Sequence, residues 1–97
     1  MGGFISLSTY DVNLFCHRIS VDPVFRNAVL NGSEKPWNES GLDPVEIEAL
    51  RSGDVGLLYR RGADAFLLHQ LARFQVEGLT PKRYAASMKY GRVLPRD

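Results

Sequence analysis

The chain has 97 residues, of which 44% are hydrophobic and 24% charged, and this length and composition fit one folded domain rather than two domains or a disordered segment. Twelve Arg and Lys residues oppose eleven Asp and Glu residues, and the basic residues are spread along the chain in short pairs such as Arg60-Arg61. Because nucleic-acid and anionic-membrane binders usually concentrate basic residues in a stripe, this pattern argues against both classes of partner.

The N-terminal segment and the cysteine content carry no export signal. Residues 1–8 lack a basic region before the short apolar run 4–7, which is unlike a secretory signal. No stretch approaches the roughly 18 apolar residues that span a bilayer. The single cysteine, Cys16, cannot form an internal disulfide, and no Cys/His spacing indicates a zinc site. We therefore expect a cytoplasmic protein.

Helix start and stop signals recur along the rest of the chain. Asp22-Pro23, Asp43-Pro44 and Thr80-Pro81 each place a capping side chain directly before a proline, the order that a helix N-terminus favours. Glu46, three residues after Asp43, completes a capping-box pattern. Glycines that can end a helix follow the helix-compatible runs at positions 32, 53, 62, 78 and 91.

These signals predict an all-α fold, a small compact orthogonal domain of five or six short helices. The predicted helices span residues 9–19, 23–30, 44–52, 55–61, 65–77 and 81–90. We interpret residues 1–97 as one domain, with an N-terminal arm (1–8), a helical core (9–91) and a tail (92–97). Only residues 4–7 have a strand-like pattern, and they have no second strand to pair with.

Two of the predicted helices differ in how their apolar residues are arranged. In the first, Val12, Phe15, Cys16 and Ile19 share one face, which is typical of an amphipathic helix on the surface of a core. In the helix over residues 65–77, apolar residues cover most of the circumference, so this helix is expected to be central or shared with a partner.

Several other aromatic and basic residues can be explained by structural roles within this domain. The loop over residues 31–42 is expected to wrap the surface with Trp37 against the core. Arg60 and Arg61 are first interpreted as complements to the end of their helix before Gly62. Trp37, Tyr59 and Tyr84 are first interpreted as packing residues and second as interface anchors.

The chain offers few groups that could carry out chemistry. Its two histidines, His17 and His69, lie on different predicted helices without a second ligand at metal-binding spacing. Cys16 is on an apolar face, where a thiol behaves as a small hydrophobe. Glu46 and Glu48 are two residues apart and do not face each other on a helix. We predict no catalytic residue and no metal ligand in this chain.

The order and spacing of several motifs resemble the small α subunit of protocatechuate 4,5-dioxygenase, the LigA-type family, over residues 9–91. The motifs are Tyr10-Asp11-Val12-Asn13-Leu14-Phe15, Asp22-Pro23-x-Phe25-Arg26, Gly41-Leu42-Asp43-Pro44 with Glu48-Ala49-Leu50-x-x-x-Asp54, Gly62-Ala63-Asp64-Ala65-Phe66-Leu67-Leu68, and Gly78-Leu79-Thr80-Pro81-x-x-Tyr84-x-x-x-Met88. The chain departs from that family in lacking its longer N-terminal extension and in a shorter connection over residues 73–79.

The resemblance implies a non-catalytic, all-α subunit of a type II extradiol dioxygenase. Such a subunit packs on a larger catalytic subunit that holds Fe(II) and opens an aromatic diol, and it helps to close the substrate pocket. Phe74, Gln75 and Val76 occupy the place of the family's lid and are the candidates for reaching that pocket. The candidates for the partner interface are Phe66, His69, Arg73, Tyr59 and Trp37. The substrate stays open among protocatechuate, gallate, an aminophenol and a biaryl diol.

Two other interpretations belong to different functional classes. The chain could be a protein- or peptide-recognition module, similar to a leader domain that docks onto a modifying enzyme. Its tail over residues 90–97, with Arg92, Pro95 and Arg96, is a poor modifiable peptide. The chain could also be a self-contained protein whose two histidines bind a metal in an oligomer.

Overall fold

Short connections join the helices, and most helices begin at a capping residue. The structure is a computed structural model that describes residues 7–95, and side chains from residue 9 onward. In this range the chain forms seven α-helices and a 3₁₀ turn, without a strand. The elements are α1 (Leu7–Val21), α2 (Pro23–Leu30), α3 (Lys35–Asn38), α4 (Pro44–Ser52), α5 (Val55–Arg60), α6 (Ala65–Arg73), the 3₁₀ turn (Val76–Gly78) and α7 (Pro81–Tyr90).

The predicted all-α class is confirmed by these elements. The Cα radius of gyration, 12.6 Å, matches the value of about 13 Å expected for a compact domain of this size. Most of the predicted arm lies outside the described residues, as do residues 96–97 of the tail. Of the strand-like run over residues 4–7, only Leu7 is described, and it begins α1 instead of a strand. Within the part of the chain that the structure describes, no helix is long and apolar enough to cross a bilayer.

The apolar face predicted for the first helix forms one wall of the core. Val12, Phe15, Cys16 and Ile19 are each at most 3% exposed, and α1 packs against α6 and α2. The other core residues come from every later helix and from the segment between α6 and α7. They are Phe25, Val29, Trp37, Ala49, Leu50, Val55, Leu58, Ala63, Leu68, Leu71, Ala72, Val76 and Leu79.

The predicted N-caps are confirmed. The Asp22 carboxylate accepts hydrogen bonds from the amides of Val24 and Phe25, both at 3.1 Å. Asp43 and Glu46 form the predicted capping box: the Glu46 amide donates to Asp43 Oδ1 at 2.8 Å, and the Asp43 amide donates to Glu46 Oε1 at 3.1 Å. Because these bonds satisfy amides that a helix start leaves unpaired, they set where α2 and α4 begin.

The segment that was predicted as a loop contains one further helix, α3. Its Trp37 is 3% exposed and its ring lies 4.8 Å from that of Phe15, so the predicted burial against the core is confirmed. With four residues, α3 is too short to show an apolar period, and for this reason the sequence pattern did not predict it.

The helix predicted over residues 65–77 is wrong at its C-terminal end, because α6 ends at Arg73. A continued helix would place Val76 on the same face as His69 and Arg73, seven and three residues earlier, which is the exposed face of α6. Instead Gln75 adopts a left-handed conformation with φ of 52°. This reversal buries Val76, which is 1% exposed.

Helices α5 and α7 approach each other closely at Gly56. The Gly56 amide donates to the Ser87 hydroxyl at 2.8 Å, and Ser87 is fully buried. A Cβ atom at position 56 would clash with the Ser87 carbonyl oxygen, so the crossing requires glycine. This contact fixes α7 beside α5 and thereby positions the exposed residues described next.

A candidate partner-binding face on α5, α6 and α7

One side of α6 is buried and the other presents large side chains to solvent. Phe66, His69 and Arg73 are spaced at i, i+3 and i+7 and share the exposed side, where Phe66 is 73% exposed. The opposite side, with Leu68 and Leu71, is buried. An aromatic side chain this exposed in the first turn of a helix contributes little to the packing of its own domain.

Tyr84 on α7 extends this exposed side of α6. Its ring contacts the His69 ring edge-on, with centroids 5.3 Å apart, and its hydroxyl donates a hydrogen bond to the Ala65 carbonyl oxygen at 3.2 Å. Partial burial raises the pKa of Tyr84, and the nearby phenol of Tyr59 on α5 raises it further. Tyr59 is itself 50% exposed. Three helices therefore contribute to one surface.

We use the term aromatic face for Tyr59, Phe66, His69, Arg73 and Tyr84. The structure brings together on it four of the five residues predicted for a partner interface. Aromatic rings with polar tips and an arginine are the residue types that carry binding energy at the centres of protein interfaces. Whether these residues contact a partner stays a prediction.

Trp37, the fifth predicted interface residue, belongs to the interior of this chain. It lies against Phe15, and the Arg51 guanidinium covers its ring at 4.6 Å. Since only 3% of Trp37 is exposed, a partner could reach it only through the side chains that cover it.

The predicted lid residues differ among themselves in exposure. The Phe74 ring is half-buried between two guanidinium groups, that of Arg26 at 4.2 Å and that of Arg73 at 5.0 Å. Arg26 is in turn fixed by donating to the Ile19 carbonyl oxygen at 2.8 Å. Gln75 is exposed, and Val76 is in the core. Gln75 is therefore the member of this segment best placed to reach another molecule, and the sequence carried no signal for the Arg26 contact.

The potential catalytic groups are separated from one another. Cys16 is fully buried, and burial raises the pKa of its thiol to about 12, far from a reactive thiolate. His17 is exposed on α1, while His69 packs against Tyr84. Glu46 serves as a helix cap. Among residues with described side chains, no group of three or more His, Cys, Asp and Glu could hold a metal ion.

A second surface feature is a groove between α1, α2 and α3. Its cavity volume is about 270 Å³, and its lining includes Phe25, the highly exposed Val24, and the charged residues Arg18, Asp22 and Lys35. Arg18 and Asp22 form an ion pair at 3.4 Å along this groove. The groove therefore carries charges of both signs, and one of its two basic residues, Arg18, is already paired with a carboxylate.

Comparison with known proteins gives one finding. A family model described as "Aromatic-ring-opening dioxygenase LigAB, LigA subunit" matches residues 12–93. The matched range contains α2 to α7 completely, and with them the aromatic face and the segment over residues 74–78. Neither the curated proteins nor the solved structures give a significant match.

Proposed function

The chain belongs to the LigA family of aromatic-ring-opening dioxygenase subunits, and on that premise we propose that it is the non-catalytic small subunit of an extradiol dioxygenase. In this proposal it packs on a larger LigB-type subunit, which carries a ferrous iron and opens the ring of an aromatic diol. The observation that carries the proposal is the family match over residues 12–93. The all-α fold and the exposed aromatic face agree with a subunit that works by binding.

The metal-ligating side chains that the structure describes do not form an iron site, which supports the proposal that the iron is bound by the partner subunit. A mononuclear ferrous site of the oxygenase type takes two histidines and a carboxylate converging on one point. The described residues do not fit that arrangement, because His17 and His69 lie on α1 and α6 without a third donor in a common group. Cys16 is protonated in the core and is no substitute ligand.

Closure of the partner's substrate pocket is the second part of the proposal. Gln75 is exposed on a left-handed turn directly after α6, and Phe74 behind it is held by two arginines. A turn that is supported in this way can present an amide to a neighbouring pocket without adapting its own backbone. Covering the pocket excludes water and restricts access to the ring, which is the usual role of such a segment.

Reconstitution of activity tests the proposal. The catalytic subunit from the same organism is purified with Fe(II), and ring cleavage of a panel of aromatic diols is followed by absorbance and oxygen uptake. We expect cleavage to rise when this chain is added and to saturate at a fixed molar ratio, while this chain alone stays inactive. Unchanged cleavage at every ratio, or ring opening by this chain alone, would refute the proposal.

A further inference from the structure

We infer that the catalytic subunit docks on the aromatic face, and that it does so with a surface that combines apolar and acidic side chains. This inference rests on the proposed function and adds which side of the small subunit is used and what chemistry it meets. Three observations carry it: the exposure of aromatic rings, the distribution of charge, and the position of the turn after α6.

The first observation is apolar surface that the domain leaves uncovered. Phe66 is 73% exposed and Tyr59 is 50% exposed, although both belong to helices whose other sides are well packed. The hydrogen bond and ring contact of Tyr84 hold the rings of Tyr84 and His69 in one arrangement. Rings that are already held in place lose little side-chain entropy when a partner covers them, which favours binding.

The second observation is an uneven distribution of charge. Residues 55–95 contain two acidic residues, Asp64 and Glu77, and seven basic ones. The basic residues are Arg60, Arg61, Arg73, Lys82, Arg83, Lys89 and Arg92. In residues 9–54 the balance is reversed, with four basic residues against eight acidic ones. The net charge of +1 therefore conceals a basic C-terminal half, which includes all helices that form the aromatic face.

Two of these basic side chains are compensated within the chain: Arg61 forms an ion pair with Asp43 at 3.8 Å, and the buried Arg83 donates to backbone carbonyl oxygens. Arg73, at the edge of the aromatic face, contacts the Gln70 amide oxygen at 3.4 Å and the Phe74 ring. Uncompensated positive charge beside an apolar surface favours a partner that presents carboxylates, both in affinity and in association rate.

The third observation is that the aromatic face leads directly into the exposed turn. Arg73 belongs to the face and its guanidinium also covers Phe74, and Gln75 lies two residues after Arg73. A partner seated on this face would therefore have the turn at its border. The groove beside α2 lacks this continuity, and its Arg18 is already paired with Asp22.

Matched variants of the full chain test the inference. Phe66→Ser removes an exposed ring from the aromatic face, and Val24→Ser removes a side chain of 81% exposure from the groove. Arg73→Gln and Lys35→Gln remove one charge from each of the two surfaces. Affinity for the purified catalytic subunit is measured by biolayer interferometry at low and high salt, and circular dichroism confirms that each variant is folded.

We expect Phe66→Ser to weaken binding about tenfold or more, and Val24→Ser to stay within about twofold of wild type. Arg73→Gln should slow association and reduce its dependence on salt, whereas Lys35→Gln should not. Weaker binding by the two groove variants with unchanged binding by Phe66→Ser and Arg73→Gln would overturn the inference and leave the proposed function standing. Equal binding by all four variants would also overturn it.

Two further outcomes would contradict the inference in different ways. A Phe66-dependent homodimer of the chain in light scattering would mean that a second copy covers the aromatic face. If the chain binds a single-stranded oligonucleotide tightly, and Phe66→Ser abolishes this binding, then the aromatic face binds nucleic acid instead. Failure of the wild-type chain to bind the catalytic subunit at all would refute the proposed function, and the inference with it.

Discussion

The imidazole ring of His69 on α6 meets the phenol ring of Tyr84 on α7 edge-on, with centroids 5.3 Å apart and planes at 88°. The Tyr84 hydroxyl reaches past this contact to the carbonyl oxygen of Ala65, at the first turn of α6. The pair thus connects two helices through side chains that are themselves part of the exposed surface. Tyr84 therefore contributes both to the packing of α7 on α6 and to the shape of the aromatic face.

Tyr84→Phe should separate these two roles. The variant loses the hydrogen bond to the Ala65 carbonyl oxygen but keeps the ring against His69, so we expect a loss of about 1 kcal/mol in the free energy of unfolding. For a domain of this size the melting temperature would fall by about 4–8 °C. Tyr90→Phe is the matched control, because Tyr90 is 74% exposed, and it should melt like wild type. Equal melting temperatures for both variants would contradict the assigned role of the hydroxyl.

Arg83 should be among the residues most sensitive to substitution. Its buried guanidinium donates to the carbonyl oxygens of Ser52 at 2.7 Å, Gly78 at 2.9 Å and Leu94 at 3.0 Å. A lysine cannot reach all three acceptors, so Arg83→Lys should lose about 3 kcal/mol in urea unfolding. Lys82→Met, at the exposed neighbouring position, should stay within about 0.5 kcal/mol of wild type. A small effect of Arg83→Lys would show that water replaces the lost contacts.

Gln75→Gly should stabilise the isolated chain and impair the complex. Removing the side chain relieves a left-handed backbone at φ 52° and should add about 0.5–1 kcal/mol to the free energy of unfolding. If the Gln75 amide forms a hydrogen bond in the partner's pocket that stabilises the transition state by about 1 kcal/mol, its loss should lower kcat/KM of the complex roughly fivefold. Gln75→Asn keeps an amide and tolerates the same conformation, so it should retain more activity. Unchanged kcat/KM for both variants would exclude Gln75 from the pocket.

The buried thiol of Cys16 predicts a loss of stability at alkaline pH. Burial raises its pKa to about 12, whereas a thiol in the unfolded chain has a pKa of about 8.5. Its contribution is therefore fully present below the unfolded-state pKa and is lost as the pH rises toward the folded-state pKa, by about 1.4 kcal/mol per pH unit.

Urea unfolding of wild type and Cys16→Ala at pH 7.5 and pH 10 isolates this contribution from other titrating groups. The stability advantage of wild type over Cys16→Ala should shrink by about 2 kcal/mol between the two conditions. An advantage that does not change with pH would contradict the assigned shift.

The sequence predicted those features that depend on neighbouring residues. The cap at Asp22, the capping box of Asp43 with Glu46, and the apolar face of α1 all follow from spacings of four residues or fewer, and the structure confirms them. The end of α6 did not follow in this way. Glutamine, unlike glycine, does not favour a left-handed backbone, so the residue type at position 75 does not predict the end of α6. The left-handed turn at Gln75 is explained by the burial of Val76 in the tertiary fold.

The same distinction between local and tertiary features holds for the aromatic face. Helical spacing alone places Phe66, His69 and Arg73 on one side of α6. The addition of Tyr59 and Tyr84 depends on how α5 and α7 cross at Gly56, which no local pattern encodes. The sequence predicted Trp37 first as a core residue and second as an interface anchor, and the structure confirms the first interpretation, with Trp37 3% exposed.

The particle mass in solution shows whether this chain assembles with a catalytic subunit, as the proposed small subunit of a two-component ring-opening dioxygenase must. Size-exclusion chromatography with light scattering is carried out on the chain, on the catalytic subunit from the same organism, and on their mixture. We expect the mixture to elute as one species whose mass is the sum of a whole number of copies of each chain. Two separate peaks, each with the mass of its free component at micromolar concentration, would contradict it.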